Sequence, residues 1–312
     1  VGSEMCIRDR LSSVLKPSNA HTAHPGLSVI EDLKRQYDVS VLPYFAESLD
    51  EQYDVLIVFD APIIRQGMIR AIDKHIQEGR SAILMLDPFQ RMNEANAKLE
   101  LGLSGEGEIN SITDLLNFYG IDFSHNGVVG DFENAANVET GTGRNFAYPY
   151  WLRIREKNMT KEEPVVATLN ELLFAETGVF SMEARPGFLK PIVFTGEQIS
   201  IETRAVFDKK STEELSLDFK SRLQAPKIIV GRVSQNLPSP FLGINGGNTK
   251  TPASLMLVGD TDWLYDGFSR AGIGSTAATL SRPINDNNNL FLNLVEFSAG
   301  SDDLLEIRSR KS

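Results

Sequence analysis

The longest apolar runs of the chain are short, Leu255 to Val258 among them. Two lie close together, Val55 to Phe59 and Ala82 to Leu86. An apolar run of that length, rich in aliphatic residues, reads as a strand covered on both faces. Between them, Arg65 to Glu78 puts Met68, Ala71, Ile72, His75 and Ile76 on one helical face, and Gly79 stops the helix. Strand, helix and strand at this spacing predict a βαβ unit with parallel strands and a right-handed crossover. Val39 to Leu42 predicts an earlier strand. Ser111 to Tyr119 predicts a helix: Ser111 is its N-cap, Asp114 stands three residues on, and Gly120 ends it. Met92 to Ile109 reads as a loop, and Val128-Val129 as a short strand after the Asn126-Gly127 turn.

The pattern changes near Gly141. Ile199 to Phe207 alternates apolar and polar positions, as do Leu215, Leu217 and Phe219, and Ile228 to Val233 is a further strand. Period-two segments without helices between them predict half-exposed antiparallel strands. Pro238 to Pro252 reads as a loop. The buried-strand pattern returns at Ser254 to Val258. It is followed by a helix with Leu290, Phe291, Leu294 and Phe297 inward, closed by Gly300, and by a last strand at Leu304 to Ile307. The fold expected is therefore α/β, a mostly parallel sheet with a β-rich insertion. Its first part covers residues 11–140, the insertion 141–253, and the closing strands and helix 254–312.

Composition narrows the function classes. The chain has 312 residues, 41% hydrophobic, enough for a core. Lys and Arg total 31 against 42 Asp and Glu, a net charge of −11. That field repels phosphate backbones, and no basic cluster relieves it, so nucleic acid is not an expected partner. No apolar run approaches the roughly 18 residues of a membrane span. The single cysteine, Cys6, excludes an internal disulfide or a Cys-based zinc site. Val1 to Arg10 shows neither a helix nor a strand period and resembles read-through of a library adapter found at the ends of metagenomic reading frames. It is set aside as a non-native extension, and Cys6 with it.

Known catalytic signatures are missing. There is no thiol at a strand-to-helix elbow, no G-x-S-x-G and no phosphate loop. Gly102 to Gly107 and Gly243 to Gly247 read as flexible loops, and His75 as a partly buried structural residue. No catalytic residue, metal ligand or cofactor is assigned. Three aspartates are the best-placed chemistry. Asp87 follows one buried strand, and Asp260 and Asp262 follow another. Ligands of open parallel sheets bind outside the carboxyl ends of the strands. Those carboxylates suit sugar hydroxyls or a hydrated Mg²⁺, and the plainer alternative is helix capping. Tyr148, Tyr150 and Trp151 form an aromatic cluster that suits a sugar ring, a partner surface or a core wedge.

These segments together resemble a known family. Leu255-Met-Leu-Val-Gly-Asp-Thr-Asp-Trp-Leu264 is followed by Asn288 to Leu304, with its Ala-Gly-Ser-Asp-Asp-Leu ending, and by Ile307-Arg-Ser-Arg310. This run resembles the GldG family, auxiliary components of ABC-2-type transporters linked in some bacteria to gliding motility. Tyr53 to Val58, Ile83 to Phe89, Leu115 to Gly120, Asn126 to Val129, Tyr148 to Trp151, Lys190 to Thr195 and Asn236 to Phe241 fall in the same order. The resemblance covers about Asp38 to Arg310. It implies a Rossmann- or flavodoxin-like sheet akin to class I amidotransferases without their nucleophile. It also implies a domain at the periplasmic face of the cytoplasmic membrane, anchored by flanking helices absent from this sequence. Its partners would be a permease and other membrane subunits. A carbohydrate-binding role, suggested for a similar eukaryotic transport domain, is the alternative, and a hydrolase using the strand-end carboxylates is a third.

Overall fold

The computed structural model describes residues 4–8, 26–42, 46–49, 52–59, 64–92, 109–139, 143–241, 252–273 and 280–300. In chain order, the first elements are β1 (Glu4–Arg8), α1 (Ser28–Lys34), β2 (Asp38–Leu42), β3 (Val55–Phe59), α2 (Gln66–Gln77), β4 (Ser81–Met85) and α3 (Ile112–Tyr119). A run of strands follows: β5 (Asp122–Phe123), β6 (Gly127–Asp131), β7 (Ala135–Glu139), β8 (Asn145–Arg155), β9 (Glu171–Ala175), β10 (Phe180–Ser181), β11 (Leu189–Phe194) and β12 (Gln198–Thr203). Then come α4 (Arg204–Phe207), α5 (Thr212–Asp218), β13 (Arg222–Leu223), β14 (Ile228–Val233) and β15 (Ser254–Val258). The chain continues with α6 (Asp266–Ser269), β16 (Arg270–Ile273), β17 (Leu280–Pro283) and α7 (Asn287–Ser298).

The main sheet has nine strands. Eight run in the order β2-β1-β3-β4-β15-β14-β10-β5, and β11 pairs with β14 off that path. Its first five strands are parallel. β14 then pairs antiparallel with β15, and the β10, β5 and β11 pairings are antiparallel as well. The mostly parallel, Rossmann- or amidotransferase-like sheet expected from the sequence is therefore overturned: the sheet is mixed. Nor do the strands after Gly141 form a separate insertion, because β14, β10 and β11 extend the main sheet. Smaller antiparallel sheets, β13-β12-β6 and β7-β8-β9, and the β16-β17 pair surround it.

β3, β4 and β15 explain the two-layer cover. Every residue of β3 and of β4 is buried. Val55, Ile57, Ile83, Met85, Met256 and Val258 face one core, which α1 and α7 close with Leu33, Leu290 and Leu294. Leu56, Val58, Ala82, Leu84, Leu255 and Leu257 face the other, closed by α2 and α3 through Met68, Ile72, Leu115 and Tyr119. Alternate side chains of a strand point to opposite faces, so an unbroken apolar run feeds both cores.

Several local expectations hold. α2 and α3 lie where periodicity puts them, the Ser111 hydroxyl accepts from the Asp114 N–H at 3.0 Å, and Gly120 closes α3 in the left-handed region. His75 is buried, with Nε2 2.9 Å from the Ser81 carbonyl. Burial, the largest influence, pushes its imidazole below the ordinary value, as a structural histidine requires. Three expectations fail. The strand starting at Gln198 ends at Thr203 and turns into α4. Leu215 to Phe219 is not a strand: α5 is nucleated by a full capping box between Ser211 and Glu214, which overrides the alternation. Glu4–Arg8, set aside from the fold, forms β1 between β2 and β3. The glycine loops at 102–107 and 243–247, most of the loop read at Met92 to Ile109 and the strand expected at Leu304 to Ile307 lie outside the described residues.

Candidate functional site

β4 and β15 pair in parallel register, Met85 opposite Val258, so their carboxyl ends lie side by side. The next residues continue the alignment, with the Leu86 N–H donating to the Val258 carbonyl at 2.9 Å. This register brings Asp87 together with Asp260 and Asp262. All three are buried, and each offers a carboxylate oxygen within 4.8 Å of the others'. The sequence thus placed all three at the sheet's carboxyl edge, and the structure unites them.

Their hydrogen bonds define what they do. Asp87 accepts from the Phe89 N–H at 2.8 Å with one oxygen, and from the Thr261 N–H and hydroxyl with the other. Asp260 accepts from the Ala175 N–H at 2.6 Å and the Trp263 N–H at 3.2 Å. Asp262 accepts from the Arg91 N–H at 2.6 Å and the Met92 N–H at 3.1 Å. Every one of the six oxygens holds a main-chain donor. The short 3-10 turn Asp262–Leu264 has its first-turn Trp263 N–H satisfied by Asp260, the capping alternative, while Asp87 and Asp262 bond loop amides. The three aspartates tie the loops after β4, β9 and β15 to one another.

Electrostatics at this edge are unbalanced. Burial raises the Asp87 carboxyl from 3.8 to about 6. Burial first, and then the neighbouring aspartates, push Asp260 and Asp262 well above the carboxylate range. Three carboxyls this close do not all ionise at neutral pH. Their separation would let a divalent cation bridge them through oxygen ligands. It also resembles the close carboxyl pairs that divide acid and base roles.

Residues that sequence reasoning missed complete the edge. Glu176, fully buried after β9, sits in the left-handed region at φ 48°. Its carboxylate accepts from Arg91 Nε at 3.1 Å, the Tyr148 hydroxyl at 3.0 Å and the Trp151 indole N–H at 3.0 Å. Burial lowers the affinity of the Arg91 guanidinium for its proton, but the bond and charge of Glu176 outweigh it and the net shift is upward. Tyr148 is raised too, by burial and by Glu176. So Tyr148 and Trp151 join the aspartates through one carboxylate. The Tyr150 side chain does not bond that carboxylate: its ring packs edge-on against Tyr148, Phe207 and Phe219, and only its main-chain carbonyl meets Glu176, accepting from the Glu176 N–H at 2.8 Å. Neither Tyr148 nor Tyr150 presents a ring face to solvent, at 0% and 2% exposure. The one sequence signal for Glu176 was a lone charge inside the apolar run Leu172 to Phe180.

Gly259 fixes the loop geometry. The Gly178 N–H donates to its carbonyl at 2.7 Å, and the Thr177 hydroxyl at 2.9 Å. A Cβ at 259 would overlap the Gly178 carbonyl. Only glycine lets the loop carrying Glu176 lie on the end of β15.

Among solved structures, the cold-adapted β-galactosidase from Rahnella sp. R3 is similar at a TM-score of 0.43 and 12% identity, over 95% of this chain and 31% of that one. A ThuA-like protein from Bacteroides uniformis gives 0.40 and 9%, over 95% of this chain and 91% of that one. Another, from Parabacteroides merdae, gives 0.38 and 13%, over 96% and 90%. The chain thus spans under a third of the galactosidase's length, and likenesses this distant carry no functional argument. No curated protein matches the chain. A family model described as an ABC-type uncharacterized transport system matches residues 13–294, and the chain belongs to that family of transport-system auxiliary components.

Proposed function

We propose that the chain is a non-catalytic binding component of an ABC-2-type transport system, of the GldG kind, exposed outside the cytoplasmic membrane. Family membership supports the transport role. The choice of binding over catalysis rests on one observation: Asp87, Asp260 and Asp262 are buried, at 6%, 0% and 0% exposure, with their oxygens held by main-chain donors. A general acid or base must reach substrate, and these carboxyls lie below the surface. These carboxyls serve as staples that set loop shape, and they hold a stable surface for a permease or another membrane subunit. Among the described residues no helix is long and apolar enough to cross a membrane, so anchoring would fall to other segments.

The reading is tested by co-expressing the full-length gene with its neighbouring permease and ATPase genes. Co-purification of the three in detergent is the expected result. Absence of any complex, with each subunit folded, would sink it. Fusions to alkaline phosphatase should be active and fusions to green fluorescent protein dark; the reverse would refute the extracytoplasmic placement. Substrate hydrolysis that disappears on Asp87→Ala in a folded chain would establish the enzyme reading instead.

A further inference from the structure

The lobe built on β6, β12, β13 and α5 carries features the strand-end carboxylates do not explain. Four large apolar side chains stand in solvent there: Phe132 at 63% exposure, Ile201 at 44%, Leu217 at 86% and Leu223 at 72%. Two hollows lie beside them. One, about 390 Å³, is apolar and lined by Phe132, Phe146, Pro149 and Phe219. The other, about 710 Å³, is polar and lined by Tyr150, Glu202, Lys210, Asp218, Lys220 and Arg222. The segment 219–224 serves both. Phe219 and Ser221 line the apolar hollow, while Lys220, Arg222 and Gln224 line the polar one, as alternating side chains of an extended segment do.

Charge and burial say what fits. Lys210 pairs with Asp218 at 2.8 Å. Lys220 and Arg222 have no ion-pair partner among the described residues. Three cations face two carboxylates in the polar hollow, on a chain whose net charge is −11. Tyr150, only 2% exposed, lines the same hollow, and its hydroxyl has no hydrogen-bond partner among the described residues. Gly130 makes this possible: a Cβ there would come within 2.7 Å of the Tyr150 ring and 2.5 Å of the Phe219 ring.

We propose that this lobe docks an acidic, extended segment of a partner protein, which seats one large apolar side chain in the Phe132–Phe146 hollow and lays carboxylates along Lys220 and Arg222. An apolar centre with a polar rim that leaves Lys220 and Arg222 without an ion-pair partner among the described residues is the anatomy of a specific interface. The Arg222 guanidinium fork matches a carboxylate, and the Tyr150 hydroxyl supplies a donor at the floor. A second copy fits poorly, because a two-fold contact would set these cations against their own counterparts. An anionic bilayer fits poorly too, since the apolar site is a hollow that takes one side chain and not a flat surface. The proposal rests on the binding role given above and names its surface.

The probe is a blocked synthetic octapeptide with one Phe among Asp and Glu residues, labelled for fluorescence anisotropy against the whole chain. Binding is expected, weakened roughly tenfold or more, about 1.4 kcal/mol, when Phe becomes Ala in the peptide or every acid becomes Lys. The double variant Lys220→Glu, Arg222→Glu should lose binding to the same degree, as should Phe132→Ser, which opens the apolar hollow. These side chains are exposed, so melting curves should stay unchanged. No binding, equal binding of the Lys peptide, or binding indifferent to all three substitutions overturns the proposal. So does a dimer that Phe132→Ser dissolves, or sedimentation with phosphatidylglycerol vesicles in place of peptide binding. Peptide failure with permease co-purification intact sinks this surface alone; loss of co-purification sinks the transport reading.

Discussion

Asp87→Asn offers the sharpest test of the stapled carboxyl edge. Burial raises the Asp87 carboxyl from 3.8 to about 6 in the folded chain. A carboxyl with a raised folded value keeps its stabilising contribution below the unfolded value and loses it as pH climbs through the folded one. The whole difference is worth about 3 kcal/mol, at roughly 1.4 kcal/mol per unit of pKa. About half of it disappears between pH 5 and pH 8. Asp260 and Asp262 are raised as well, so they carry the fall in the same direction. The wild-type unfolding free energy should therefore drop by at least about 1.4 kcal/mol from pH 5 to pH 8.

The asparagine cannot ionise, but it keeps only one acceptor. With that oxygen turned to Thr261, the Phe89 N–H loses its partner, a cost of about 1–3 kcal/mol. At pH 5 the variant should be the less stable by that amount. By pH 8 the wild type has taken on a buried charge that the variant lacks, and Asp260 and Asp262 also feel one charge fewer. The gap should close or reverse. Urea unfolding at half-unit steps of pH reads this directly, with the m value checked for constancy. Parallel curves for the two proteins, or a wild-type stability that is flat or rising over this window, would refute the reasoning.

Other substitutions probe separate contacts. Gly259→Ala should destabilise by more than about 2 kcal/mol in thermal melts, because its Cβ meets the Gly178 backbone and not a movable side chain; a loss under 0.5 kcal/mol would show that the loop yields. Glu176→Gln should cost roughly 3 kcal/mol by leaving Arg91 unpaired and setting an amide against the Trp151 N–H, and quenched Trp fluorescence should change with it. Tyr119→Phe removes the hydroxyl that donates to buried Asp73 at 2.8 Å and should cost about 1–3 kcal/mol; an unchanged melting temperature would count against that bond. Ser211→Ala should cost about 1 kcal/mol by uncapping α5, visible in protection of the α5 amides from hydrogen exchange.

What the sequence disclosed follows from how local each cause is. The runs at Val55 and Ala82 and the face of α2 were readable because burial on both sides, or along one stripe, leaves a continuous mark. The place of β14 was not. Ile228 to Val233 was expected as an antiparallel strand of an insertion, and its apolar pattern is the same whether it pairs there or, as it does, with β15 of the main sheet. α5 was misread because Leu215, Leu217 and Phe219 alternate, yet Leu217 is 86% exposed and takes no part in a core. Ser211 and Glu214, two residues that the alternation count ignored, decided the matter through two hydrogen bonds.

The site divides along the same line. Asp87, Asp260 and Asp262 could be placed because a parallel pair puts the residues after both strands at one edge, whatever the rest of the sheet does. Glu176 arrives there from 85 residues away, on a loop that only Gly259 lets approach, and no period records that. Its trace is chemical. A carboxylate within Leu-Leu-Phe-Ala-Glu-Thr-Gly-Val-Phe must be buried, and a buried carboxylate must find donors. Tyr148, Trp151 and Arg91 are the donors it found. The first two were visible in the sequence as an aromatic cluster that had lacked a reason to lie near the aspartates. Glu176 gives that reason, so the stapled edge and the aromatic strand form one rigid unit, and a substitution at either should be felt at the other.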